Sequence, residues 1–291
     1  MMKQRNITTA LVVLIAIFSS IAACLGIFSG KGPGSYNYES IRGRSVEIYG
    51  KGIYQHMSAD VAVQGIAQDY ITIFAGVPLL LSSLIGFRKG SLRSKFILTG
   101  IMAYFFVTYL FYTAMSMYNY LFLLYLVLLS LSFFALLVLL LSFNLNNLAS
   151  SFSKKAPCRL TGGFLILNSV IIALLWLSII VPPLIDGSIF PSALEHYTTL
   201  IVQGFDLSLL LPLAFVSGLL LIKKRPSGYL AGTTYIVFLS VLMTALTAKI
   251  VAMALNDVNV VPAIFIIPVI NLTAIFLAVL LIRGIKLHDA E

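Results

Sequence analysis

Charge is what this chain has least of: only 10% of its 291 residues are Asp, Glu, Lys or Arg, against 60% hydrophobic, and the mean hydropathy is +1.02. A soluble domain carries roughly a quarter of its residues charged, so the composition excludes an aqueous fold and makes lipid the solvent. Alternating strands of about ten residues are missing too, which excludes a barrel. A backbone in hydrocarbon must satisfy its own N–H and C=O groups, and helices are the remaining way to do so. The expected fold class is all-α, a polytopic membrane helix bundle.

Cysteine is nearly absent, and the two present, Cys24 and Cys158, are expected on opposite sides of the membrane, so no disulfide framework is available. The chain lacks a phosphate-cradling Gly-x-x-x-x-Gly-Lys-Ser/Thr, so ATP coupling would need another subunit. Gly-x-Ser-x-Gly and His-Glu-x-x-His are missing as well. No catalytic residue and no cofactor is assigned. Histidine is scarce: His56 and His196 with Asp60 or Glu195 could ligate a divalent metal at the outer surface, but the spacing fits no ligand pattern and no metal is assigned.

What is present is eight apolar runs of spanning length: Thr8–Phe28, Ala67–Phe87, Phe96–Met117, Tyr120–Phe143, Gly162–Val181, Leu200–Ile222, Tyr229–Leu255 and Val260–Ile282. Alternate connecting segments hold 14 of the 19 basic residues: Lys3 and Arg5; Arg88, Lys89, Arg93 and Lys95; Lys154, Lys155 and Arg159; Lys223, Lys224 and Arg225; Arg283 and Lys286. By the positive-inside rule both termini are cytoplasmic, in a multi-pass protein of the cell inner (plasma) membrane. The acids follow the opposite pattern, since only Asp289 and Glu291 fall inside. The net charge of +9 is therefore a topology signal. Dispersed over five short loops, it points to anionic membrane lipids as partners and not to nucleic acid. Ile21-Ala22-Ala23-Cys24 resembles a lipobox, yet Leu25-Gly26-Ile27-Phe28 continues the apolar run, as a retained helix would.

The chain repeats a pattern. A long outer loop (30–64) leads to Val63-Gln64-Gly65, Asp69, Pro78-Leu79, Ser82 and the turn Arg88-Lys89-Gly90-Ser91. A second outer loop leads to Val202-Gln203-Gly204, Asp206, Pro212-Leu213, Ser217 and Lys223-Lys224-Arg225. Two parallel four-helix halves are expected, 1–150 and 151–291, hinged near Asn144–Pro157. Gln68-Asp69, Val77-Pro78-Leu79-Leu80, Arg88-Lys89-Gly90-Ser91-Leu92-Arg93, Gly204-Phe205-Asp206 and Arg225-Pro226-Ser227-Gly228-Tyr229 resemble a family of uncharacterised prokaryotic multi-pass membrane proteins. The resemblance implies the fold and location, and no activity, cofactor or substrate.

Polar residues inside the spans are the candidate site. Gln64, Gln68 and Thr72 share a helix face with Asp69 beside it, and Thr199, Gln203 and Asp206 form a second stripe. Facing each other across a cavity lined by Tyr70, Tyr104, Tyr109, Tyr112 and Tyr197, the two stripes would bind a small solute or ion, the carboxylates taking a cation, a proton or a basic group. Lys249 within the seventh span would pair with Asp69, Asp206 or Asp257, or snorkel to the headgroups. A structural reading stands beside this one. Both aspartates are expected near the outer, N-terminal ends of their helices, where the dipole stabilises a carboxylate by about 0.3–1 kcal/mol. Ser192 and Glu195 have capping-box spacing. Pro262, Pro268 and Asn271 mark a bend in the eighth span. Other classes remain open: lipid modification at the outer interface, or a non-catalytic membrane factor whose 30–64 loop, rich in Tyr and Arg, meets a partner protein.

Overall fold

The computed structural model describes residues 2–286, so Asp289 and Glu291 lie outside the described residues. Eight of its helices are long and apolar enough to cross a membrane, and the protein is a multi-pass helical membrane bundle. In chain order the elements are α1 (Met2–Phe28), the antiparallel hairpin β1 (Tyr36–Glu39) and β2 (Ser45–Ile48), α2 (Ala59–Ile71), α3 (Val77–Arg88), α4 (Leu92–Met115), α5 (Phe122–Leu141), the short α6 (Leu145–Leu148), α7 (Cys158–Ile185), α8 (Ile201–Phe205), α9 (Leu211–Ile222), α10 (Pro226–Leu255) and α11 (Ala263–Arg283). α2 with α3, and α8 with α9, are each one continuous span.

Every expected span is present, and the differences are at the ends. The second helix begins at Ala59, eight residues before the apolar run does, because the segment that carries Asp60 and Gln64 is helical and largely half-buried instead of loop. α7 continues through Pro182 and Pro183 to Ile185. α1 runs unbroken through an exposed Cys24, while Cys158 is buried at the start of α7. Ser192 to Leu194 is a single 3-10 turn and Glu195 takes a left-handed φ of 49°. No helix follows until α8, so the capping-box reading fails.

Both spans that carry an aspartate contain a π turn. Thr72–Gly76 joins α2 to α3, and Asp206–Leu210 joins α8 to α9. In each, proline is the second residue of the helix that follows, Pro78 or Pro212. A proline ring meets the carbonyl four residues back in an α-helix, and the extra residue of a π turn widens the turn at that point.

Little apolar driving force exists between helices in lipid, so close approach depends on small residues. Gly100 of α4 lies against Val237 and the backbone of α10, and Gly162 of α7 meets Gly218 of α9 backbone to backbone. α4 and α10 pack against each other at the centre; α4 also packs α3 and α5, and α10 packs α9 and α11. Outward faces of α5, α7 and α11 present Leu123, Phe134, Leu174, Phe265 and Phe276, the lipid-facing surface of a bundle.

The two ends of the bundle are fastened by arginine. At the loop end, the Arg42 guanidinium donates to the carbonyls of Glu195 (3.2 Å) and Tyr197 (3.0 Å). At the opposite, basic end, Arg93 at the start of α4 donates to the carbonyls of Ile285 (2.9 Å) and Arg283 (2.9 Å). The basic end is reinforced by Lys95 over the Phe143 ring at 4.1 Å and by contacts of Phe152 with Phe96 and Tyr229.

Candidate functional site

Asp69 lies ten residues into α2, in its third turn and not at its N-terminus, so the dipole account of this carboxylate does not hold. It is buried, 2% exposed, and an ionised carboxylate at that position needs donors or a counter-charge. Two tyrosine hydroxyls provide donors: Tyr54 reaches Oδ2 at 2.5 Å and Tyr112 reaches Oδ1 at 2.9 Å. Tyr112 comes from α4, which holds its ring among Tyr109 and Tyr125. Tyr54 comes from the loop after the hairpin and dips its whole side chain into the bundle, where it is 1% exposed. Burial, and after it the Asp69 charge, push the Tyr54 hydroxyl well above its usual 10, which keeps it a donor.

Two glycines make room for this contact. A methyl group at Gly26 of α1 would land on the Asp69 carboxylate, and one at Gly65 of α2 would meet the Tyr54 ring. Below Asp69, the Gln68 amide donates to the Tyr104 hydroxyl at 2.6 Å, and Thr72 lies 3.4 Å from the same hydroxyl. Gln68, Asp69 and Thr72 thus share one polar lining with Tyr104 and Tyr112, as the spacing predicts. Gln64 does not join them, because its amide turns back to the Asp60 carbonyl at 3.3 Å. Tyr70 is also elsewhere, exposed on the outward face and stacked on Phe74. Tyr197 stays in the loops, bound to the Ser58 N–H at 3.2 Å.

Asp206 opens the second π turn and is half-buried. Its Oδ2 accepts from the Trp176 indole of α7 at 2.8 Å. Gln203, one turn earlier, is half-buried as well. The two polar stripes do not face each other directly, since α2 packs on α10 while α8 packs on α4. Counted back from the prolines, Asp206 stands where Thr72 stands and Asp69 where Gln203 stands, so the aspartates are not equivalent positions. By the same count Ser217 matches buried Ser83 and not Ser82.

Lys249 connects them. Half-buried on α10, it is the cation whose field acts on both Asp69 and Asp206, and among the described residues it forms no ion pair within 4 Å with either. Asn271 of α11 accepts from Thr244 of α10 at 3.1 Å, which directs it into the helix contact beside Pro268. Trp176 and Gly26 carry no motif; Trp176 is the only tryptophan, and nothing in its spacing ties it to Asp206. His196 meets the backbone of His56 at 3.1 Å and not its ring. Among the described residues no three His, Cys, Asp or Glu side chains are grouped to hold a metal ion, so the two-histidine arrangement is not formed. No family model, curated protein or solved structure matches this chain, so its site is read from its own geometry.

Proposed function

We propose that this protein is a proton-linked translocator of a small solute or ion, working in the cell inner membrane with both termini cytoplasmic. What supports the reading is one ammonium inside the bundle, Lys249, whose field acts on two carboxylates in separate helices, Asp69 and Asp206, without an ion pair within 4 Å to either. Three ionisable groups inside a bundle are expensive unless they neutralise one another, and one cation cannot fully neutralise two anions. The remaining negative charge is met by a proton or a positively charged cargo. Moving that charge from the Asp69 side to the Asp206 side moves it between helices that pack on opposite members of the central α4 and α10 pair.

A parallel duplication, residues 1–150 and 151–291, gives this reading its moving parts. Supporting it are the paired π turns, each followed by proline, and the recurrence of the same helix contacts on either side of α4 and α10. Supporting the orientation is the gathering of Arg93, Lys95, Arg283 and Lys286 at one end.

Purified protein in liposomes loaded with a pH indicator tests it. With a potassium diffusion potential imposed by valinomycin, the parent acidifies the lumen faster than empty vesicles, and Asp69→Asn and Lys249→Met each remove at least nine-tenths of the difference, about the 1.4 kcal/mol of a tenfold effect or more. Flux indistinguishable from empty vesicles, or unchanged by both substitutions, overturns the reading.

A further inference from the structure

A second polar site lies outside the membrane-spanning core. Where the hairpin leans over the start of α2, a cleft of about 260 Å³ is lined by Arg44, Glu47, Asp60 and Glu195 together with Ser58 and Ser192. Its walls come from distant parts of the chain, the hairpin and α2 on one side and the 192–195 turn on the other. Charges of both signs line it, yet among the described residues no salt bridge or side-chain hydrogen bond joins Arg44 to any of the three carboxylates.

Glu195 is the unusual member. Its Oε2 is shut off from solvent and has no hydrogen-bond partner. A buried acceptor left unmade is costly, and the residue also adopts a positive φ of 49°, a backbone conformation that glycine tolerates far better. That backbone is held in place because Arg42 binds the carbonyls of Glu195 and Tyr197, and the Tyr197 hydroxyl accepts from the Ser58 N–H. Strain held by several contacts fixes the Glu195 carboxyl in the wall of the cleft. Burial, followed by the nearby Asp60 charge, raises the Glu195 carboxyl above its usual 4.5, while Ser58 and His196 oppose the shift.

The anion-attracting group is Arg44, whose guanidinium is paired with none of the lining carboxylates, while the positive start of α2 is already met by Asp60 in its own first turn. We propose that this cleft binds a small zwitterion, an amino acid or similar amino-carboxylate, with its ammonium on Glu195, Asp60 and Glu47 and its carboxylate on Arg44. The volume lies below the ~300–1,000 Å³ of drug-sized sites, which is room for one small molecule of this class. Neither charge of such a ligand has to be buried unpaired, whereas a simple amine or a simple carboxylate would fill half of the site.

The test is calorimetric titration of the detergent-purified full chain with L-alanine, with methylamine and acetate as half-ligands. Saturable binding of L-alanine is expected by about 10 mM, a tenfold excess over a millimolar site, with neither half-ligand binding in that range. Glu195→Gln and Arg44→Gln are each expected to raise Kd at least tenfold while the thermal midpoint without ligand stays within about 2 °C, a shift below ~1 kcal/mol. Tyr118→Phe, an exposed side chain outside the cleft lining, is expected to bind as the parent does. No saturable binding of L-alanine overturns the proposal. So does binding indifferent to both cleft substitutions, and so does binding lost in Asp69→Asn alone, which assigns the ligand to the membrane site.

Discussion

A hydrogen bond of 2.5 Å between a loop tyrosine and a carboxylate inside a membrane bundle places strict demands on the atoms around it. Gly26 and Gly65 meet them by having no side chain, and Gly26 gives the clearest test. Alanine there must displace the Asp69 carboxylate from Tyr54 or push α1 away from α2. Overpacking of this kind costs about 1–3 kcal/mol. Gly163 of α7 is the control, since a methyl there meets nothing within 4 Å and alanine in a helix gains about 0.5–1 kcal/mol over glycine. Thermal unfolding in detergent should therefore separate the two variants in opposite directions. A Gly26→Ala midpoint equal to the parent's would mean that α1 does not confine Asp69. Gln68 and Asp69 are legible as candidate site residues from their place in an apolar helix, but Asp69 is expected at the outer interface and its burial is not. Tyr54 is not legible, because its role depends on a loop folding back into the bundle, and no local periodicity encodes that.

At the scale of elements, all eight spans can be read from hydropathy alone, because each is a run longer than the hydrocarbon is thick. The start of α2 is misread because Asp60, Gln64 and Gly65 interrupt its apolar residues, and such a segment looks like loop to a hydropathy argument. Pro78 and Pro212 announce a local irregularity, but whether a proline kinks a helix or is absorbed by a π turn depends on what stands ready to bond the altered backbone. Tyr235 of α10 does so in the second half, donating to the Leu210 carbonyl at the end of the π turn at 2.9 Å. In the first half Tyr104 of α4 meets Thr72 at the beginning of the turn. Each π turn is thus held by a tyrosine from the following full-length helix. Tyr235→Phe removes only that hydroxyl, and in a water-free interior it is expected to cost about 0.5–1.5 kcal/mol. Tyr118→Phe, at a side chain 78% exposed, is the neutral comparison. Equal midpoints for the two variants would show that the turn holds without Tyr235.

For the molecule as a whole, the argument joins orientation to fastening. Arg42 and Arg93 each direct a guanidinium at backbone carbonyls of the 151–291 segment, at opposite ends of the bundle. Backbone carbonyls cannot be titrated away, so neither fastening responds to pH through its acceptor, and release at either end must come from movement of the chain. Binding in the cleft beside the hairpin would act on the Arg42 end, because Glu195 belongs to both. Such a scheme needs the hairpin end to face outward and the Arg93 end to face the cytoplasm, as the basic loops imply. Single cysteines introduced at Ser188, beside α7 at the loop end, and at Lys154, in the basic connector, test it in a background with Cys24 and Cys158 replaced by serine. A membrane-impermeant maleimide should label Ser188→Cys in intact cells and Lys154→Cys only after permeabilisation. The reverse pattern would invert the bundle, place the cleft inside the cell, and make any zwitterion it binds a cytoplasmic regulator instead of an external one.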